Sequence, residues 1–528
     1  MQPAARYART AIEIVILSAL VLATRCANYQ DVFVGRNTYF TDADCYARMT
    51  RVRMCAEHPG LIIRHHQFEN FPQGTTPHTT APFDYLIVSL SILLKPFTLH
   101  ALDLAGALIS PLLALIGAWF LWWWVPRMRF RYRWALLTLF AISPILVHGT
   151  ELGRPDHQSL LMLLVTIAVC AEWSLQNEKS TAWSVVSGVA WALAIWVSAY
   201  EPLLLLIFVL LVLFGQDRHR LVSRPRRAGW ICFAAIIALA LLIERRLPSL
   251  SIFHSSDIFR NWSRTIGELR SLSPLDSIWF RWGGYLIAVA PLLIWFGIRR
   301  SKRNNGSTRK NETTPVFILA LLIATYLLTL WQVRWGYFFI SIFAITLPSL
   351  LAPIESGAAV WIAFAISVCP VLRGWDEQLW PNESALAMRI ERRNESVQLQ
   401  ELAVIIRSKD VHPFLAPWWI SPLVAYWSGQ PGVAGSSHES LDGIADSARF
   451  FLSENPLTAR EILEHRRVGW VFAYDSDRVA ANSALILGMP IGAHPLCRTI
   501  DRTPAQAPRY LIFSGQNATA KIFRVGAL

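Results

Sequence analysis

The chain has 528 residues, 54% of them apolar and only 16% charged, with 23 Trp and a formal net charge of +13. A soluble domain carries about a quarter charged residues, so this balance excludes an ordinary cytosolic enzyme and a disordered chain and describes a protein mostly embedded in membrane. The surplus Arg and Lys fall between apolar runs, where membrane topology accounts for them, so nucleic acid is not expected as a partner. Seven Cys without CxxC spacing exclude a thiolate metal site and leave at most a disulfide, for which Cys45 and Cys55 form the close pair.

The first apolar run, Ile12 to Thr24, reads as an uncleaved span rather than a signal peptide. Glu13 interrupts it, and Arg25 precedes Cys26 where a lipoprotein signal needs a small residue. Ten further runs follow at about residues 99–126, 134–149, 159–175, 182–199, 202–214, 229–243, 278–298, 315–331, 337–352 and 358–372. These are the candidates for helices crossing ~30 Å of hydrocarbon. Residues 83–97, with Asp84 and Lys95 near the ends, are read as a helix lying along the interface. With that assignment the linkers 127–133, 215–228 and 299–314 share the side of the N-terminus. They hold fifteen basic residues in 37 positions, against ten in about 90 for loops 26–82 and 244–275 opposite. The positive-inside rule makes the linker side cytoplasmic. Loops 26–82, 151–157 and 244–275, Arg334 and the tail from Arg373 then lie outside, in a plasma or inner membrane protein. The spans read as nearly free of charge, which counts against a transporter.

The tail is a different kind of chain. SVQLQELAVIIRSKD is helical in pattern, whereas VGWVFAY and RYLIFSG are strand-like. The expected fold is an all-α polytopic membrane domain of about eleven spans plus an interfacial helix over residues 1–372, followed by a small extracytoplasmic α/β domain over 373–528.

Four outer features carry chemistry. YFTDADCYARMTRVR places Asp42 and Asp44 after the first span, as loop caps or as ligands. ELGRPDHQSLL places Glu151, Arg154, Asp156, His157 and Gln158 at a helix mouth, where Asp156 and Gln158 either cap the helix or join a divalent cation. RTIGELRSLSPL places Glu268 in a polar loop, and WQVRWGYFF places Arg334 between two apolar runs. An Arg at that depth snorkels or pairs with an anion, and a planar guanidinium suits a phosphate.

These segments resemble, in order, the motifs of the catalytic subunit of oligosaccharyltransferases, polytopic C-type enzymes that move a glycan from a polyprenyl diphosphate carrier to a protein. DCYARMTRV is similar to that family's D-x-Y-x-x-x-R-R pattern, and PHTTAPFDYLI to the segment after it. GRPDHQSLL is similar to its second acidic motif, TIGE to T-I-x-E, and PWWISPLVAYW to the W-W-D-Y-G motif, with Ile420 where the family has Asp. The resemblance implies Asp44 and Glu268 as catalytic residues and a divalent cation, Mn2+ or Mg2+, on Asp44, Asp156, Gln158 and Glu268, with Asp42 and His157 auxiliary. It also implies Arg334 on the donor diphosphate and Trp418 and Trp419 on the acceptor. The implied partners are a polyprenyl (di)phosphate-linked sugar, membrane lipid and an extracytoplasmic acceptor, most often a protein, in an inverting transfer. The alternatives are a lipid or polysaccharide acceptor on the same architecture, and a non-enzymatic polytopic protein.

The topology makes a direct prediction. A reporter active only in the cytoplasm, fused after Leu528, stays silent; a bright signal reverses the sidedness of every loop above.

Overall fold

The computed structural model describes residues 3–246, 256–303 and 314–526. Residues 247–255 of the expected outer loop and 304–313 of the third basic linker lie outside the described residues. Each of the eleven apolar runs is helical. Among the described residues six helices are long and apolar enough to cross a membrane: Tyr7–Arg25, Ala101–Trp124, Gln158–Asn177, Tyr200–His219, Arg224–Glu244 and Val333–Leu351. At 1.5 Å per residue, about 20 residues match the hydrocarbon thickness. A seventh candidate is the pair Gly357–Ser367 and Cys369–Leu379, bent by 41°. The other four runs carry shorter helices, Arg133–Ile142, Thr181–Val197, Leu286–Phe296 and Val316–Trp331.

The breaks have local causes. Pro144 stops the helix that ends at Ile142, because it cannot donate to the ladder and constrains Ser143 to an extended conformation. Gly284 divides the run at 278–298. Its φ of +74° suits glycine, and a Cβ there would sit 2.4 Å from the Ser367 carbonyl.

The spans are less free of charge than their sequence reads. Glu172, in the middle of an apolar helix, is buried, and its two oxygens accept from Arg226, one of them from Nη1 at 2.6 Å. Glu13 pairs with Arg133 and accepts from Trp122 Nε1 at 3.2 Å. Arg25 is fully buried, donating to the Phe140 carbonyl at 2.9 Å. Each charge has a partner, as burial in a low dielectric requires.

Contacts divide the chain into two compact units. The first comprises Met1–Gln30, Ala107–Pro248 and Glu268–Asn382, the second Asp31–Gly106, Ser249–Gly267 and Glu383–Leu528. The expected division at residue 372 follows chain order, whereas each unit is assembled from three segments. The first unit packs Trp124, Trp173, Trp191, Trp335, Tyr337, Phe338 and Phe343 in one apolar core.

The second unit contains a small hairpin, β1 (Phe33–Val34) and β2 (Asn37–Thr38), and a four-stranded sheet. Its strands are β3 (Phe414–Leu415), β4 (Trp470–Tyr474), β5 (Leu511–Gln516) and β6 (Ala520–Val525), in the order β3-β4-β6-β5. β3 and β4 are parallel and the other pairs antiparallel, with Phe414 opposite Trp470 and Val471 opposite Phe523. The two strand-like segments of the tail are β4 and β5, and the helical pattern lies within the helix Glu383–Ile405. The 83–97 stretch forms the helix Ala81–Leu94, whose 14 residues span only ~21 Å, too short to cross. Ile92, Leu93 and Phe97 at its end are exposed. Arg48 on the helix Ala43–Glu57 donates to Asp84 at 2.9 Å and fixes these two helices together.

Residues 66–80 are stitched to residues 430–440 of the same unit. Phe71 N–H donates to the Gly432 carbonyl at 3.2 Å, and Gly432 N–H to the Phe68 carbonyl at 2.9 Å. Arg466 adds bonds to Asn70 Oδ1 at 3.1 Å and Asp446 Oδ2 at 2.8 Å. Buried Glu69 accepts from Ser436 N–H at 3.4 Å. Burial pushes its carboxyl up to about 7, against the pull of Arg51 and the Ser436 N–H, with Glu439 adding to the rise and His78 opposing it.

That shift sets a pH dependence. The folded value of Glu69 lies above its ordinary 4.5, so its stabilising proton is fully held below about 4.5 and lost as pH rises through about 7. Between those limits the group weakens folding by on the order of 3 kcal/mol. Glu69→Gln, the shape of the protonated acid, is expected to flatten the dependence of Tm on pH between 5 and 8 and to raise Tm at pH 8. Melting of the detergent-solubilised chain checks this; parallel wild-type and variant curves count against it.

Candidate active site

The site residues of the first unit are assembled by backbone bonds between distant loops. Leu152 N–H donates to the Arg25 carbonyl at 2.9 Å and Gly153 N–H to the Ala107 carbonyl at 3.0 Å. These bonds bury Leu152, Gly153, Arg154 and Pro155, in a segment that reads as an outer loop in sequence. On the other side, Leu272 N–H donates to the Leu330 carbonyl and Val333 N–H to the Arg270 carbonyl, both at 3.0 Å. That clasp draws the turn Gly267–Leu269, with Glu268, towards the turn Val333–Trp335, with Arg334. Gln332 at the break is extended, which ends one helix and starts the next with Arg334 between them.

Glu268 closes a polar ring of three hydrogen bonds and one ion pair. Arg154 Nη1 lies 3.7 Å from Glu268 Oε1, and Tyr337 OH donates to the same oxygen at 3.1 Å. Arg154 Nη2 is 3.0 Å from His148 Nε2, and His148 Nδ1 is 2.8 Å from Tyr337 OH. Arginine only donates, so His148 Nε2 accepts and its proton sits on Nδ1, which donates to Tyr337. The ring therefore has one sense, from Arg154 through neutral His148 and Tyr337 to Glu268. Gly149 makes room for it, since a Cβ there would meet the Tyr337 ring at 3.0 Å. Arg154 also donates from Nε to Glu151 at 3.3 Å.

Arg334 pairs with Glu201, which is 1% exposed, and Gln158 Nε2 donates to the same Glu201 oxygen at 3.4 Å. Glu268 and Asp156 both lie within electrostatic range of Arg334 and of Tyr337. Asp156 Oδ1 is 2.6 Å from His157 Nδ1. Among the described residues, the buried polar atoms here without a hydrogen-bond partner include Gln158 Oε1, Glu201 Oε2 and Arg334 Nε.

In the second unit Asp42 is the N-cap of the helix Ala43–Glu57, accepting from Cys45 N–H at 2.9 Å, and Asp44 is exposed in its first turn. Trp418 donates from Nε1 to Asn482 at 3.0 Å and packs edge-on against Trp262 at 5.8 Å. Trp419 lies edge-on to Trp418 and beneath Arg478, and Ile420 is buried. Cys45 and Cys55 are buried and no disulfide joins them. The structure thus brings Asp156, Gln158, Glu268 and Arg334 into one electrostatic cluster within the first unit.

Sequence reasoning missed Glu201, His148 and Tyr337. Glu201 carried a signal, an acidic residue directly before Pro202 at the head of an apolar run, which needs a cationic partner. His148 and Tyr337 carried none, because a lone His and a lone Tyr beside apolar runs are ordinary interfacial residues.

No family model and no curated protein matches the sequence. Solved structures do match in fold. The Archaeoglobus fulgidus oligosaccharyltransferase tethered to an acceptor peptide with an NVT sequon superposes with a TM-score of 0.67 at 15% identity, over 90% of this chain and 70% of that one. The same organism's AglB, in complex with an inhibitory peptide and a dolichol-phosphate, gives 0.68 at 14% identity over 96% and 73%. ArnT from Cupriavidus metallidurans bound to undecaprenyl phosphate gives 0.53 at 12% identity over 99% and 98%. The fold implied by the motif resemblance is the fold observed, that of polytopic C-type glycosyltransferases.

The ring around Glu268 predicts coupled energetics. Tyr337→Phe leaves the His148 Nδ1–H without its acceptor and is expected to cost about 1–3 kcal/mol. His148→Phe removes the donor of that bond, so the double variant, which lacks both ends, should lose markedly less than the sum of the two. Additive losses in detergent unfolding experiments would dissolve the ring into independent contacts.

Proposed function

We propose that this chain is a membrane glycosyltransferase that moves a glycan from a polyprenyl (di)phosphate carrier to an acceptor, foremost a protein, at the outer face of the membrane, with inversion at the anomeric carbon. One observation carries it: a buried guanidinium donor, Arg334 Nε, and two buried oxygens, Gln158 Oε1 and Glu201 Oε2, are left unsatisfied in one cluster. Such atoms cost free energy unless a ligand meets them. A ligand that meets both kinds has an anionic and a cationic part, as a diphosphate with a divalent cation does. The dolichol-phosphate and undecaprenyl phosphate in the structurally similar proteins support a lipid-linked donor.

Asp156, Gln158 and Glu268 of the first unit would hold the cation, Mn2+ or Mg2+, with His157 auxiliary; Asp44 and Asp42, in the second unit, are added by the motif resemblance alone. An all-oxygen donor set suits such hard ions, and the unsatisfied Gln158 oxygen fits that role. When bound, the cation supplies positive charge against the leaving diphosphate. Arg334 would add directed N–H bonds to the same phosphate oxygens, with Glu201 fixing the guanidinium plane. Glu268 would orient the acceptor and take its proton. The acceptor atom bonds to the anomeric carbon while the bond to the diphosphate oxygen breaks, and the diphosphate leaves with the electron pair. Trp418 and Trp419 would line the acceptor side. A lipid or polysaccharide acceptor is the second reading, favoured by buried Ile420 in place of the family's Asp and by Trp418 being engaged with Asn482.

Purified protein incubated with lipid extract from its host, followed by mass spectrometry of whatever gains sugar, separates the two acceptors and tests the class. Arg334→Lys sharpens it. Lys keeps the charge but loses the planar fork, so transfer should fall at least tenfold, in line with roughly 1.5–3 kcal/mol for a charge-assisted bond. Unchanged transfer by a normally folded Arg334→Lys protein removes Arg334 from donor binding.

A further inference from the structure

Within the second unit, His78, His438 and Glu439 present ligand atoms that all lie within 4.8 Å of one another. His78 belongs to the segment PHTTAPFDYLI, which the transfer chemistry leaves unassigned, and His438 begins the turn His438–Ser440. Glu439 Oε1 accepts from His78 N–H at 2.7 Å and lies 2.6 Å from His78 Nδ1 and 3.6 Å from His438 Nε2. The two imidazoles are 5.1 Å apart, centroid to centroid, and inclined by 38°. The Glu439 side chain is 11% exposed, and its second oxygen, Oε2, is buried with no hydrogen-bond partner among the described residues.

A His–Glu hydrogen bond by itself explains the contact between His78 and Glu439 Oε1. It does not explain why a second imidazole is held against that carboxylate, with His438 Nε2 3.6 Å from the same oxygen. A largely buried carboxylate flanked by two imidazoles is met directly by a cation. We infer that His78, His438 and Glu439 form a binding site for a zinc-class divalent cation, separate in all its ligands from the cation of the transfer reaction. Two imidazole nitrogens and one carboxylate oxygen are a zinc donor set, with the fourth position left to water. Tetrahedral bonds of ~2.0–2.1 Å put ligand atoms ~3.3 Å apart, so closing the site needs shifts of no more than about 1.5 Å. On binding, the proton between His78 Nδ1 and Glu439 Oε1 leaves to solvent and the cation takes its place. The ligands come from residues 66–80 and 430–440, the two segments already joined at Phe71–Gly432 and Glu69–Ser436. The cation thus cross-links that seam and stabilises the folded second unit.

The test uses the full-length chain in detergent, stripped with a chelator and titrated with cobalt(II) chloride, then with zinc chloride. One equivalent of cobalt is expected to give the visible bands of four-coordinate cobalt, and zinc to abolish them and to raise Tm. His438→Ala and Glu439→Gln should each weaken cobalt binding at least tenfold while keeping the metal-free Tm near wild type. Asp156→Asn, which lies in the transfer site, should keep the bands. If His438→Ala lacks a cooperative metal-free transition, His78→Gln takes its place. Absence of bands in the wild type, their persistence in the His and Glu variants, or their loss in Asp156→Asn overturns the site. None of these outcomes depends on whether the protein transfers sugar.

Discussion

A charge held at the end of an apolar helix must be met by an opposite charge or by a ligand, because neither lipid nor a packed core solvates it. Arg334 is such a charge, placed where one helix stops and the next begins. It is met by Glu201 from the first turn of another helix. The same carboxylate receives Gln158, and Arg334 lies within the field of Glu268 and Asp156. Four separate stretches of chain are thus fixed by the need to neutralise one guanidinium. The pair is not closed, since Arg334 Nε and Glu201 Oε2 remain unsatisfied.

The ring through Arg154, His148, Tyr337 and Glu268 solves a second problem. Glu268 is the least buried of these carboxylates, with 35% of its side chain exposed, and an exposed carboxylate would ordinarily sample several rotamers. The ion pair with Arg154 and the hydrogen bond from Tyr337, both on one of its oxygens, hold it in a single orientation. His148 links the two donors and thereby fixes its own tautomer. That arrangement is preorganisation by outlying hydrogen bonds, which lowers the cost of orienting a reacting group.

The second unit relies on a seam rather than on an apolar core alone. Residues 66–80 carry Glu69, Asn70 and His78, and each meets a partner far along the chain: Ser436, Arg466 and Glu439. Polar seams of this kind specify one register, because a shift leaves several buried groups unpaired at once. Trp262 and Trp418 provide the apolar counterpart, packing against Ala434, Ile444 and Ile486.

The sequence by itself determined the apolar runs, their helical state, the helix over 81–94 and the strand character of β4 and β5. These follow from local composition and periodicity, which a chain expresses wherever it sits. The ordered acidic motifs and Arg334 were legible too, since charged residues beside apolar runs stand out. Other features were decided only in three dimensions. The grouping of residues 31–106 with the tail depends on which surfaces meet, and no local pattern encodes that. The broken helix at Gly284 depends on the Ser367 carbonyl, and the burial of residues 152–155 on bonds to Arg25 and Ala107. Glu201 as the partner of Arg334, Tyr337 and His148 as the supports of Glu268, and the meeting of His78 with His438 and Glu439 are contacts between residues 69 to 361 positions apart in all but the local His438–Glu439 pair. Pairing across such separations is settled by packing and by the cost of an unmet charge, and both exist only once the chain has folded.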